Sequence, residues 1–251
     1  MLAERIQSYL VVIATAVVLW VNYLATTGGL NNIDTAVISD KYPTVLTPAG
    51  YAFTIWSLIY TGSIAFSIYQ LFKLDCVRYR RVRPLYLLSC FLNALWLWLW
   101  HHEMLLACLI VIAALFATVL AIAVMFRNTE TPMDTLIGRG TFGLYAGWLT
   151  AATLVNFTIV IKASGAELSS VSWNLIAVAS FAAATAMAVF VRYAFRNFLY
   201  PLAIAWAATA IAVKQSGNTA VVVAAAICVV VSLIMSISFV MDKKGMAVRD
   251  A

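Results

Sequence analysis

A chain of 251 residues that is 64% hydrophobic, 13% aromatic and only 10% charged falls far below the roughly one-quarter charged residues of a soluble domain, which excludes a soluble globular fold and places the chain in a bilayer. Its net charge of +6 is confined to short segments between apolar runs, so it sets membrane topology and excludes a continuous nucleic-acid-binding stripe. Cys76, Cys90, Cys108 and Cys228 form no CxxC or Cys/His cluster, and neither a metal centre nor a disulfide framework is expected.

The first apolar run, from about Tyr9 to Thr27, is longer than the roughly 7 to 15 residues of a signal-peptide core and reads as a retained spanning helix. Charged and turn residues then punctuate seven more runs, giving eight predicted spans at about 9–27, 50–72, 84–101, 104–126, 139–161, 172–191, 198–213 and 219–241, each helical because a backbone in lipid must bond to itself. Pro201, near the start of the short seventh span, suits a first helical turn, where its missing N–H costs little. Basic residues decide the orientation. With both termini inside, thirteen of the sixteen Lys and Arg fall in cytoplasmic segments, and only Lys41, Lys162 and Lys214 fall outside. The expected setting is a multi-pass protein of the bacterial inner membrane with cytoplasmic termini.

Between the first two spans lies the longest stretch expected to be non-helical, about 28–50, "GGLNNIDTAVISDKYPTVLTPAG". It carries apolar residues of its own, as lids and packed caps both do. The second span opens after Pro48 and places Trp56 and Tyr60 one turn apart. In the third, Asn93, Trp96 and Trp100 share a face while Trp98 points elsewhere, and Trp100 near the external end suits an interfacial aromatic belt. His101, His102 and Glu103 follow in a tight external turn, where adjacent His side chains diverge and make a poor chelate. The fifth span has two faces. Gly140, Gly143, Gly147 and Ala151 suit close helix approach. Trp148, Ala152 and Asn156, at steps of four, form either an interhelical hydrogen-bonding face or the wall of a binding site. No Asp, Glu, Lys or Arg lies near the middle of any span, which argues against ion coupling and against acid–base catalysis in the bilayer core.

Pro48 with Trp56 and Tyr60, then Leu92–Asn93 with Trp96, then Trp148, Ala152 and Asn156 occur in an order and spacing that resembles the TspO/MBR family, over about residues 9–163. The chain departs from the family pattern in having a single Pro before the second helix, no Pro after the third-helix Trp, and three helices beyond the usual five. The resemblance implies an all-α membrane protein: a five-helix transmembrane bundle in residues 1–163 and about three additional transmembrane helices in 164–251, about eight in all. It also implies a pocket lined by Trp56, Tyr60, Asn93, Trp96, Trp148, Ala152 and Asn156, under a lid loop that includes Asp34, Tyr42 and Pro48. The implied role is non-enzymatic: binding a hydrophobic, tetrapyrrole-like molecule as a sensor or transporter in stress response or tetrapyrrole regulation. No cofactor is required, and a porphyrin or haem-type ligand is the expected occupant. The bilayer and a hydrophobic small molecule are the expected partners, a homo-oligomer is left open, and nucleic acid is excluded. Two other readings stay open: a permease for a neutral solute, and a structural subunit of a membrane complex.

Overall fold

The computed structural model describes residues 2–129 and 131–249, with side chains as far as Ser238. Among these residues every regular element is helical. In chain order they are α1 (Leu2–Thr26), a short α2 (Thr35–Lys41), α3 (Ile55–Tyr69), α4 (Val77–His101), α5 (Leu105–Met125), α6 (Thr141–Ala163), α7 (Ser170–Ala194), α8 (Leu199–Lys214) and α9 (Thr219–Arg249). A 3-10 turn, Gly50–Thr54, leads into α3, and a π-helical turn, Asp134–Gly140, leads into α6.

Seven of these helices, with their lead-in turns, are long and apolar enough to cross a bilayer. The remaining expected span, the short seventh, is α8, whose 16 residues reach only about 24 Å. Two expectations change. The stretch read as non-helical contains α2, because Asp34 caps it by accepting from the Ala36 amide at 2.6 Å. The third span begins at Val77 and carries Pro84 inside it. Its basic run continues the helix because partners hold the charges: Arg80 and Arg83 both reach Glu4, at 2.9 and 3.1 Å.

The neighbours α1, α4, α5, α6 and α3 close into a five-helix ring, with α3 touching both α1 and α6. Outside it, α8 lies on α6 and is flanked by α7 and α9. The small-residue face of α6 explains how α8 gets so close. A Cβ on Gly143 would strike the Asn197 amide, and one on Gly147 would strike the Tyr200 carbonyl and lie 2.8 Å from the Ala203 Cβ. Asn197 fixes the entry to α8 by donating to the Arg139 carbonyl at 2.8 Å and accepting from the amides of Leu199 and Tyr200. Pro201 sits in the first turn of α8, as expected. Buried Ala203, Ala207, Ala208 and Ala210 let backbone pack on backbone, the usual source of helix association in lipid.

Candidate ligand site beneath the lid

The segment from Leu30 to Ala49 folds over one end of the ring and is anchored on three helices. On α4, Trp100 Nε1 donates to the Thr35 carbonyl at 3.2 Å, and His101 sits between the Leu30 carbonyl (3.0 Å from Nδ1) and the Thr35 hydroxyl (3.2 Å from Nε2). The carbonyl at Nδ1 requires a proton there, so Nε2 is free to accept from the hydroxyl. On α6, Thr158 pairs with Thr44 at 3.0 Å. On α8, the Ala210 carbonyl accepts from Ala49 N at 2.9 Å, Gln215 Nε2 donates to the carbonyls of Thr44 and Thr47, and Trp206 Nε1 donates to the Ala52 carbonyl. An outer latch joins the lid to the α4–α5 turn, where Glu103 accepts from Lys41 at 2.5 Å and from the Tyr42 hydroxyl. Lys41 and then Tyr42 hold the Glu103 carboxyl below its ordinary pKa, and Glu103 in turn raises both partners.

Under this lid lie two adjoining cavities. The inner one, about 40 Å³, is walled by Trp56 of α3, Trp96 and Trp100 of α4, and Trp148, Ala152 and Asn156 of α6, with Pro48 from the lid and Ala207 and Ile211 from α8. The outer one, about 500 Å³, lies between α1, α3 and the lid, and includes Asn22, Tyr23, Asp34, Tyr60, Trp56 and Trp96 in its wall. Thr35, Phe53, Trp56 and Trp96 belong to both walls and stand between the two cavities.

Of the residues named from the sequence, Trp56, Trp96, Trp148, Ala152, Asn156 and Pro48 meet at the inner cavity, and Tyr60 and Asp34 stand on the outer one. Asn93 and Tyr42 line neither. Asn93 lies deeper, bridging three helices: its Oδ1 accepts from Asn22 Nδ2 at 2.9 Å, its Nδ2 donates to the Tyr145 hydroxyl at 2.9 Å, and Tyr60 donates to Asn22. Tyr42 serves the latch. Asn156 is partly occupied, its Oδ1 taking a long 3.4 Å bond from Trp96 Nε1 and its Nδ2 donating to the Ala152 carbonyl. Trp148 Nε1 is buried with no hydrogen-bond partner, while the rings of Phe53 and Trp56 stand nearly perpendicular to its indole, each 6.1 Å away.

Several wall and anchor residues have a misleading sequence signal or none. Trp100 is 3% exposed and binds the lid instead of forming an interfacial belt. His101, 1% exposed, is likewise a lid anchor. Asn22 could have been singled out as the amide inside the first apolar run. Nothing in the spacing of α8 pointed to Ala207 or Ile211.

No curated protein and no solved structure matches the chain. The profile of one protein family, described as TSPO-like protein, matches residues 8–239. The match runs through the five-helix ring and on through α7, α8 and most of α9, the same helices that brace the lid and complete the cavity wall. Seven bilayer-length helices, a lidded site of Trp and Asn residues, and a family match over nearly the whole sequence place this chain, an integral multi-pass membrane protein, in the TSPO-like protein family.

Proposed function

We propose that the protein binds a hydrophobic, flat aromatic molecule of the tetrapyrrole type beneath its lid and acts as a sensor or transporter in stress response or tetrapyrrole regulation, without catalysing a reaction on it. One observation carries this reading: Trp56, Trp96 and Trp148 from three helices converge with Asn156 on one lidded cavity. Aromatic faces supply apolar area at low entropic cost, and a few fixed polar groups orient the guest, which is what small-molecule sites require. The unpartnered Trp148 N–H adds to it. A buried donor left unpaired costs about 1–3 kcal/mol, which an acceptor on a guest would recover. The inner cavity, about 40 Å³, holds a few waters at most, so a macrocycle enters only if the side chains shared by both walls, Phe53, Trp56 and Trp96 among them, move and join it to the outer cavity. The end rich in Arg faces the cytoplasm in this reading, with both termini there and the lid outside the bacterial inner membrane.

A porphyrin titrated into the purified protein is expected to quench Trp fluorescence saturably. Trp148→Ala and Asn156→Ala are expected to weaken this by several-fold. Unchanged affinity in both folded variants would remove the site assignment.

A second reading, a permease for a neutral solute, is favoured by α8, which lines the inner cavity with Ala207 and Ile211 and a separate groove of about 570 Å³ with Trp206 and Thr209. Solute flux into proteoliposomes that stops when the lid is crosslinked shut would select it.

A further inference from the structure

We propose that the outer cavity selects organic cations, with Asp34 as the charge that recognises them. The inference rests on the reading of the lidded cavities as a binding site and adds the sign of the ligand's charge.

Among the described residues neither cavity has a Lys, Arg or His in its wall, and Asp34 is the one acidic side chain in either. Of the other three acids on this side of the molecule, Glu103 is matched with Lys41 at 2.5 Å and Asp40 with Lys214 at 3.1 Å, and Glu167, in the loop after α6, lines neither cavity. Asp34 has no basic partner among the described residues. As a helix cap it uses one oxygen, Oδ1, to accept from Ala36, and Oδ2 has no hydrogen bond. The nearby imidazole of His101 is taken by Leu30 and Thr35.

Tyr23, Trp56, Tyr60 and Trp96 line the same cavity as this carboxylate, and the negative face of an aromatic ring attracts a cation within about 6 Å. The cavity is about 500 Å³, within the range of small-molecule sites, and exposed Thr26, Gly50 and Ser57 stand at its rim. A carboxylate-bearing guest would meet Asp34 with no compensating base. A flat aromatic cation would meet opposite charge and aromatic faces together.

The test uses one ring system in three charge states: N-methylquinolinium, quinoline at a pH where it is neutral, and quinaldate. Each is titrated against Trp fluorescence of the full chain in nanodiscs of zwitterionic lipid. The expected order is cation, neutral, anion, with the cation at least about fivefold tighter than the neutral ring, the size of one exposed cation–π or ion-pair contact. Asp34→Asn keeps the cap, since Asn caps as well as Asp, and is expected to abolish the cation's advantage while leaving quinoline binding unchanged. Asp34→Ser, another capping residue, repeats the measurement in case the first variant misfolds, and Asp40→Asn is expected to leave the order intact. Equal binding of cation and neutral ring, or a preference that survives both Asp34 variants, overturns the charge assignment while the site stands. If none of the three rings binds, the binding-site reading and this inference fall together.

Discussion

The two ends of the helix ring handle charge differently. At the end away from the lid, Arg83 and Arg139 are buried and spend most of their donors on backbone carbonyls. Arg83, fully buried, reaches Gln70 Oε1 at 2.8 Å, the carbonyls of Gln70 and Lys73, and Glu4. Arg139 ties together the carbonyls of Phe126 and Arg127 and the Thr129 hydroxyl. At the lid end the ion pairs are exposed, Lys41 and Lys214 being about half open to solvent, and the inner and outer cavities lie just beneath. Buried, multiply bonded charges are costly to disturb, whereas exposed pairs contribute little and exchange readily. The buried charges away from the lid are therefore harder to displace than the exposed pairs at the lid, whose firmer anchors are the uncharged bonds to α4, α6 and α8.

The sharpest way to break that contrast is to remove a buried arginine. Arg83→Ala leaves two carbonyls, an amide oxygen and one of the two Glu4 oxygens without their Arg83 donor and is expected to cost about 3–5 kcal/mol, read as loss of folded yield or a large drop in thermal midpoint in detergent. Arg83→Lys should recover little, because a single ammonium cannot replace a planar fork with several donors. If Arg83→Ala were no worse than a lid variant, the asymmetry between the ends would be lost.

Next in size is the seam between ring and outer helices. Gly147→Val puts a side chain onto the Tyr200 carbonyl and the Ala203 methyl, and overpacking of this kind costs about 1–3 kcal/mol. Because α8 holds Ala49 and Gln215 holds Thr44 and Thr47, the same variant should also raise amide exchange in the lid. Gly217→Ala, with open space around its Cβ, is the control and should change neither.

The sequence made one half of this architecture readable and left the other dark, for physical reasons. Helices in lipid announce themselves by apolar length, so seven elements and the short α8 could be outlined, and the spacing of Trp148, Ala152 and Asn156 set one face of α6 apart from its glycine face. In the structure Gly140, Gly143 and Gly147 face α8 and its lead-in, while Trp148, Ala152 and Asn156 line the inner cavity and are joined there by Ala151 of the small-residue face. Spacing cannot report pairing across 50 to 170 positions, however. Trp206 reaching Ala52, Gln215 reaching Thr47 and His101 reaching Leu30 are long-range contacts of residues that look like ordinary belt or turn residues locally. Asn93 shows the converse. Its helical register with Trp96 is real, yet its amide is spent on Asn22 and Tyr145, because a buried amide in lipid seeks the nearest partner before any ligand.

A milder test sharpens the role of α8 as lid support. Gln215→Ala removes two donations to lid carbonyls and is expected to cost about 1 kcal/mol, with faster hydrogen exchange confined to about residues 44–49. Exchange that rises equally across the whole ring would mean that Gln215 supports the fold in general and the lid only incidentally.

The smallest effect is expected at the outer latch, and its pH dependence carries a sign. Lys41 and Tyr42 depress the Glu103 pKa, so the latch is complete above the ordinary glutamate pKa and is lost as pH falls through the lowered value. Lys41 is shifted upward, so its contribution is complete below its ordinary pKa and disappears only as pH rises through the raised value. Between these limits the lid should open at a constant rate, measured by stopped-flow quenching with an aromatic probe that does not titrate. In acid the rate should rise, and Glu103→Gln should show that faster rate at neutral pH with no further acid response. A wild-type rate that stayed flat into acid would mean that the inner anchors at Thr35, Ala49 and Thr158 alone govern opening, and that the exposed pair only decorates the lid.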